Sequence, residues 1–178
     1  MTEQIIIAGS GGQGVMLLGK VLAETAMFEG KHVAYLPAYG PEVRGGTSHC
    51  MVNISDKEIG SPYISKADTL IILNNPSLER FKDKVRSDGL LILNSSLAEI
   101  HDYAKIKIFS FPFTDIAIKL GNIKVANMVA LGCYLSAKKV IKADDVLKVF
   151  KFMAPEGNLK ILEINQRALK EGIGLNNG

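Results

Sequence analysis

The residues best suited to chemistry lie in two glycine-containing segments, residues 9–14 and 39–48. The first has the sequence Gly-Ser-Gly-Gly-Gln-Gly and the second Tyr-Gly-Pro-Glu-Val-Arg-Gly-Gly-Thr-Ser. Glycine allows positive φ angles and close approach of the backbone, and a helix that begins after such a turn offers free N–H groups to an anion. Arg44, in the second segment, is suited to carboxylate or phosphate recognition. Together the segments predict a nucleotide-fold domain that contributes loops to a larger active site.

The first segment contains the spacing G-x-G-x-x-G at Gly9, Gly11 and Gly14, between a predicted strand and a predicted helix. This spacing occurs in dinucleotide-binding domains, but tight turns between strand and helix also use glycine for packing. A dinucleotide site needs an Asp or Glu about 20 residues further on, at the end of the second strand. Residues 35–38 contain neither, which argues against NAD or NADP binding.

A second partial motif runs from Gly14 through Gly19 and Lys20. A phosphate-binding P-loop requires Ser or Thr after the lysine to hold magnesium, and Val21 stands there instead. The segment also falls inside a predicted amphipathic helix. We therefore exclude a P-loop NTPase and interpret Gly19 as a site of close helix packing.

The hydrophobic pattern predicts a single α/β domain over residues 1–178, with a mostly parallel central sheet flanked by helices and a Rossmann-like start. The first strand, the glycine turn, the first helix and the second strand are expected to form a βαβ unit. Predicted strands cover residues 4–9, 32–36, 47–55, 69–73, 89–94 and 105–111, and predicted helices cover 15–28, 77–86, 114–120, 125–137, 143–152 and 155–171.

Composition narrows the function classes. The chain has 178 residues, 47% of them hydrophobic, and a formal net charge of +3 with no nucleic-acid-binding motif. The two cysteines, Cys50 and Cys133, form no Cys-x-x-Cys pattern, so we expect no metal or iron–sulfur site in this chain and a reducing, cytoplasmic location. No signal peptide is indicated. The longest apolar run, residues 125–137, is shorter than the roughly 20 residues that a membrane span needs.

Two polar residues, His49 and Asn127, lie in apolar segments of the sequence. His49 follows the second glycine segment on a predicted strand, and we interpret it as a structural or interface histidine rather than a catalytic base. Asn127 lies in an apolar helix, where a buried amide needs hydrogen-bond partners. It is expected to bond another loop, to face a subunit interface or to be a core amide, and the sequence leaves these alternatives open.

The chain resembles the gamma subunit of 2-oxoacid:ferredoxin oxidoreductases. The resemblance rests on residues 9–14, on Tyr-Gly-Pro-Glu-Val-Arg-Gly-Gly at 39–46, and on Asn-Met at 127–128 with Leu-Gly at 131–132. It covers nearly the whole length. The sequence of the second segment is most similar to the 2-oxoglutarate branch and to related branched-chain enzymes, whereas pyruvate-type subunits tend to differ there.

The resemblance implies a coenzyme A-dependent oxidative decarboxylation of a 2-oxoacid, preferably 2-oxoglutarate, to acyl-CoA and CO2, with electrons passed to ferredoxin. In this family thiamine diphosphate with Mg2+ binds between alpha and beta subunits, and iron–sulfur clusters lie on the beta subunit or on a small ferredoxin-like subunit. This chain is accordingly expected to hold no catalytic residue, no metal and no cofactor by itself, and to be inactive alone.

The site expected here lies at the interface with the other subunits, where the two segments hold coenzyme A or shape the mouth of the active site. Branched-chain and pyruvate versions of the enzyme remain alternatives, as do a stand-alone nucleotide-binding protein and a non-catalytic scaffold. The expected binding residues are Gly11, Gly12, Gln13, Gly14, Arg44, Gly45, Gly46 and Thr47.

Overall fold

A six-stranded sheet forms the centre of the molecule, in a computed structural model that describes residues 1–38, 47–100, 105–153 and 159–176. The strands are β1 (Thr2–Ser10), β2 (His32–Ala38), β3 (Thr47–Ser55), β4 (Ala67–Ile72), β5 (Val85–Asn94) and β6 (Lys107–Phe111). The helices are α1 (Val15–Phe28), α2 (Asn75–Phe81), α3 (Phe113–Lys119), α4 (Ala126–Ala137), α5 (Ala143–Met153) and α6 (Leu159–Gly174).

The order of the strands is β2-β3-β1-β4-β5-β6. Strands β1, β4, β5 and β6 pair in parallel, whereas β3 is antiparallel to both β1 and β2. The predicted α/β domain with a mostly parallel sheet is confirmed. In the predicted βαβ unit, β1 and β2 run in the same direction as expected. They do not pair with each other, because β3 lies between them.

Both faces of the sheet are covered, as the apolar sequence of β1 predicts. Ile5 and Ile7 of β1 pack with α1 and α3–α6 on one face, while Ile6 and Ala8 pack with α2 and Ile64 on the other. All four β1 side chains are fully buried. The central strand is therefore held from two sides, and its carboxyl end has a fixed position.

Two close helix contacts depend on glycine. Gly19 of α1 packs against Cys50 and Tyr35, which confirms its interpretation as a packing residue. Gly132 of α4 and Gly172 of α6 lie so close that an added Cβ at either would contact the backbone of the opposite helix. Helix α4 is thereby a rigidly supported element. No helix in the described ranges is long and apolar enough to span a membrane.

The predicted helix at residues 77–86 is too long, and its start is too late. Asn74 ends the preceding segment by accepting a hydrogen bond from Ser77 N at 3.1 Å, so α2 begins at Asn75. The helix ends at Phe81 and a single 3-10 turn follows. The next strand then begins at Val85 rather than at residue 89, and the first four residues of the predicted helix at 155–171 lie outside the described residues.

Candidate functional site

The candidate site lies at the carboxyl ends of β1, β4 and β5. From β1 the chain crosses through α1 to β2 on one side, while β4 and β5 continue on the other side. Such a reversal of strand order opens a crevice at the carboxyl edge of an α/β sheet, where ligands commonly bind. The segment that joins β1 to α1, residues 11–14, lies at this position and is called the glycine loop from here on.

The glycine loop is braced by the amide of Gln13. Its Oε1 accepts a hydrogen bond from Ser10 N at 2.6 Å, and its Nε2 donates to the Leu73 carbonyl at 3.2 Å. Asn74 adds a short hydrogen bond from its Nδ2 to Ser10 Oγ. A Cβ at Gly9 would meet Gln13 Oε1 at 2.7 Å, so this glycine is required for the brace. Both polar atoms of the Gln13 amide therefore form hydrogen bonds within the chain.

The apex of the glycine loop is open. Gly11 and Gly12 are exposed, and Gly12 has φ +89° with no atom of the described residues within 4 Å of the place a Cβ would take. Gly14, with φ 75°, is the N-cap of α1, and no side chain in the described part of the chain caps this helix. The first turn of a helix has N–H groups without intrahelical partners and carries partial positive charge. The apex is therefore suited to an anionic group.

Asn127 of α4 contacts the base of the same loop. Its Nδ2 donates to the Gly14 carbonyl at 3.2 Å, and a Cβ at Gly14 would collide with this amide. Of the alternatives open from the sequence, a hydrogen bond to another loop is confirmed. Gly14 is thus required twice, once for its left-handed backbone and once for the space that Asn127 fills.

The register of the sheet brings the end of β2 and the start of β3, which flank the second glycine segment, to the same edge. Ser10, which precedes the glycine loop, pairs with Thr47 at the start of β3. Ala38, at the end of β2, pairs with His49. Ala38 and Thr47, the described residues that flank the second segment, therefore lie at the edge of the sheet where the glycine loop lies. Of the predicted binding residues in this segment, Thr47 lies at the edge, and the predictions for Arg44, Gly45 and Gly46 fall outside the described residues.

His49 lies on the α2 face of the sheet. Its ring lies 4.8 Å from the Phe81 ring, and its Nδ1 is buried with no hydrogen-bond partner among the described residues. Burial lowers the pKa of His49, and the positive charge of Arg80 lowers it further. A neutral ring packed on an aromatic side chain agrees with a structural histidine, which remains an interpretation.

A cavity of about 140 Å³ lies beside the loop, lined by the predicted residues Gly12 and Gln13 and by residues that the sequence did not indicate. At its base, Asn94 Nδ2 donates to the Leu73 carbonyl at 3.0 Å and to Thr114 Oγ1 at 2.9 Å, and Asn94 Oδ1 accepts from Thr114 N at 3.2 Å. The exposed Lys124 lies on its rim. The sequence feature that could have identified Asn94 is its position at the end of β5, at the same edge of the sheet where β1 ends.

The cysteines are unsuited to nucleophilic chemistry. Burial raises the pKa of Cys50 to about 12 and that of Cys133 to about 11, so both are thiols at neutral pH. Among residues 1–38, 47–100, 105–153 and 159–176, no three His, Cys, Asp or Glu side chains are grouped to hold a metal ion.

Comparison with known proteins identifies relatives across the whole chain. Ketoisovalerate oxidoreductase subunit VorA of Methanothermobacter thermautotrophicus is 39% identical over 170 residues, which are 95% of this chain and 35% of the relative. 2-Oxoglutarate synthase subunit KorC of Methanothermobacter marburgensis is 34% identical over 184 residues, covering 97% of this chain and 99% of the relative. The chain thus spans about a third of VorA and nearly all of KorC.

Solved structures share the fold. The gamma subunit of a keto/oxoacid ferredoxin oxidoreductase from Geobacter sulfurreducens has a TM-score of 0.84 and 28% identity, with 97% of each chain covered. The 2-oxoglutarate:ferredoxin oxidoreductase from Magnetococcus marinus has a TM-score of 0.90 over 99% of this chain and 31% of that one, and at 20% identity it shows the fold alone. Because residues 4–175 match its defining pattern, the chain belongs to the family described as pyruvate ferredoxin/flavodoxin oxidoreductase.

Proposed function

We propose that this chain is the gamma-type subunit of a multi-subunit 2-oxoacid:ferredoxin oxidoreductase. The complex would convert a 2-oxoacid and coenzyme A to acyl-CoA and CO2 and pass two electrons to ferredoxin, with 2-oxoglutarate as the preferred substrate. The observation that carries the proposal is the pairing of Ser10 with Thr47, which places the start of β3, directly after the second segment, beside the start of the glycine loop. 2-Oxoglutarate is preferred because the sequence of the second segment is most similar to that branch, and KorC is a relative along nearly its whole length.

The chain's own contribution is to bind and orient an anionic group of coenzyme A. The exposed apex at Gly11 and Gly12 and the uncapped N-terminus of α1 supply N–H groups, and Arg44 would supply a guanidinium. Gln13 acts through the backbone, because its amide holds the loop from Ser10 N to the Leu73 carbonyl. The second segment would approach the same anionic group closely because of the small residues Gly45, Gly46 and Thr47, which complete the proposed site.

The remaining chemistry belongs to partner subunits in this proposal. Thiamine diphosphate with Mg2+ stabilises the carbanion formed on decarboxylation, and iron–sulfur clusters carry the electrons. The described residues offer no grouping of metal ligands and no reactive thiolate for either task. We propose alpha and beta subunits as partners, with a small ferredoxin-like subunit where clusters are separate, in the cytoplasm.

A branched-chain 2-oxoacid is the second candidate substrate. VorA, a ketoisovalerate oxidoreductase subunit, is 39% identical to this chain, against 34% for KorC. The substrate pocket itself is expected on other subunits, so the identity of this chain to either relative does not decide between them. A direct comparison of substrates is therefore part of the test.

The test is affinity purification of this chain from its native host under anaerobic conditions, with identification of co-purified proteins. Viologen reduction is then measured with coenzyme A and with 2-oxoglutarate, 3-methyl-2-oxobutanoate or pyruvate. Co-purified thiamine- and cluster-binding subunits with 2-oxoglutarate as the best substrate would support the proposal. A chain recovered alone, inactive and able to bind a nucleotide would replace it with a stand-alone nucleotide-binding function.

The role of the second segment is tested by Arg44→Ala in the purified complex. Arg86→Ala is the matched control, because Arg86 pairs with Asp68 at 2.6 Å at the opposite edge of the sheet. We expect a higher KM for coenzyme A in the first variant and normal kinetics in the second. Normal assembly of the Arg44→Ala complex with unchanged KM and kcat would remove Arg44 from the site.

A further inference from the structure

Asn127 is buried at a contact between two elements that are far apart in sequence. It lies in the first turn of α4 and is only 2% exposed. The Gly14 carbonyl accepts a hydrogen bond from its Nδ2 at 3.2 Å and a second one from Leu18 N at 2.9 Å. The carbonyl at the start of α1 is therefore fixed from two directions, along α1 itself and from α4.

The other end of the same amide has no partner. Asn127 Oδ1 is buried and accepts no hydrogen bond among the described residues. The orientation of the amide is set by chemistry, because a flipped amide would place Oδ1 against the Gly14 carbonyl oxygen. A buried acceptor without a donor destabilises a fold, and an apolar side chain of similar size avoids this cost. Stability alone therefore does not account for an amide at this position.

We infer that Asn127 is a positioning residue for the glycine loop. By holding the Gly14 carbonyl it fixes the left-handed turn that ends the loop, and so it fixes the direction of the N–H groups in the first turn of α1. Helix α4 is a suitable support because Gly132 and Gly172 lock it against α6. Asn127 acts through Gly14 and has no contact with a ligand in this role. The consequence for coenzyme A rests on the proposed function, whereas the effect on the loop does not.

The first measurement is hydrogen–deuterium exchange of the full chain, followed in peptides that contain residues 9–18, together with thermal unfolding. Asn127→Leu removes both the donor and the unpaired acceptor at similar volume. The matched control is Asn165→Leu, because Asn165 is a buried amide of α6 that donates to the Ile161 carbonyl within its own helix at 2.6 Å.

In Asn127→Leu we expect loop amides to exchange roughly two- to tenfold faster, the factor that one net hydrogen bond gives at 25 °C. We expect an unchanged or higher unfolding temperature in the same variant, since the unpaired acceptor is gone. Asn165→Leu should leave loop exchange unchanged. A folded Asn127→Leu chain with unchanged loop exchange overturns the inference, and so does a control that loosens the loop equally.

Asn127→Ser is the second variant, for use if the leucine variant does not fold. Its hydroxyl is too short to reach the Gly14 carbonyl, so the same acceleration of exchange is expected and its absence overturns the inference. In the purified complex, either variant should raise the KM for coenzyme A several-fold with a smaller change in kcat. A loosened loop in a complex whose wild-type form oxidises no 2-oxoacid would contradict the proposed function and retain the positioning role.

Discussion

Replacing Gly14 by alanine tests the geometry of the glycine loop most directly. Gly14 has φ 75°, and an added Cβ would collide with Asn127 Nδ2 and lie 2.8 Å from Asn127 Cγ. Asn127 is a buried residue of α4, so its side chain cannot move out into solvent. The substitution is therefore expected both to strain the backbone and to displace the amide that holds the loop.

The magnitude follows from these two effects. A non-glycine residue in the left-handed region costs about 1–2 kcal/mol. Loss of the bond from Asn127 to the Gly14 carbonyl adds about 0.5–1.5 kcal/mol, and displacement of a packed side chain adds to this, so we expect roughly 2–4 kcal/mol in total. For a domain of this size 1 kcal/mol lowers Tm by about 2–4 °C, so Gly14→Ala should lower Tm by roughly 5–15 °C.

Gly12→Ala is the matched control. Gly12 also has a positive φ, +89°, but in the described part of the chain no atom lies within 4 Å of its Cβ position. It should therefore show only the backbone cost of about 1–2 kcal/mol. Chemical denaturation of the wild-type chain and of both variants measures the difference, and the m-value shows whether the unfolding transition remains comparable.

A double-mutant cycle separates the collision from the backbone strain. In a chain that already carries Asn127→Ala, Gly14→Ala meets no amide and should cost only about as much as Gly12→Ala does. The expected coupling between positions 14 and 127 is about 1 kcal/mol or more. The reasoning is refuted if Gly14→Ala costs no more than Gly12→Ala, or if its cost is the same with and without Asn127.

Three further predictions concern the rest of the chain. Gly132→Ala should destabilise the fold by about 1–3 kcal/mol or more, because the added Cβ would collide with the α6 backbone. Gly174→Ala should be nearly neutral in the same denaturation assay, because no atom of the described residues lies within 4 Å of its Cβ position. Cys50, whose pKa burial raises to about 12, should resist iodoacetamide at about pH 8 until guanidinium unfolds the chain, as followed by mass spectrometry; rapid labelling of the native chain would contradict this. Burial also raises the pKa of the Glu3 carboxyl above 4.5, so the folded chain binds this proton more tightly than the unfolded chain does. The stability of the fold should therefore fall as the pH rises from 4.5 through the raised pKa. Glu3→Gln should reduce that fall in Tm, and an unchanged pH profile of Tm in this variant would contradict the prediction.

Local pattern was sufficient for most of the fold, because a strand buried on both faces and an amphipathic helix each have their own periodicity. The position of β3 was not predictable in this way. Its alternating sequence identifies a strand, but nothing local states that residues 47–55 insert between β1 and β2. The end of α2 was misjudged for a related reason, since the strand at Val85 is defined by pairing with Ala67 and not by its own sequence.

The candidate site shows the same division. Glycines at 9 and 14 were visible as a motif, yet their separate reasons are tertiary: Gly9 makes room for the Gln13 amide, and Gly14 makes room for Asn127. Gln13 was predicted as a binding residue from the motif alone, and the sequence did not indicate that its two polar atoms bind Ser10 and Leu73. A single sequence contains no signal for a contact across 113 positions such as that of Asn127 with Gly14.

In the proposed function one domain presents two loops to one ligand, and the inserted strand β3 supports that arrangement. With β3 antiparallel to both neighbours, Ala38 lies beside His49 and Thr47 lies beside Ser10, at the carboxyl edge of β1. A shift of β3 by one residue would move Thr47 away from Ser10 and turn Cys50 from the α1 face to the α2 face. Packing of Cys50 against Gly19 opposes that shift, so the hydrophobic core itself fixes the pairing of Thr47 with Ser10.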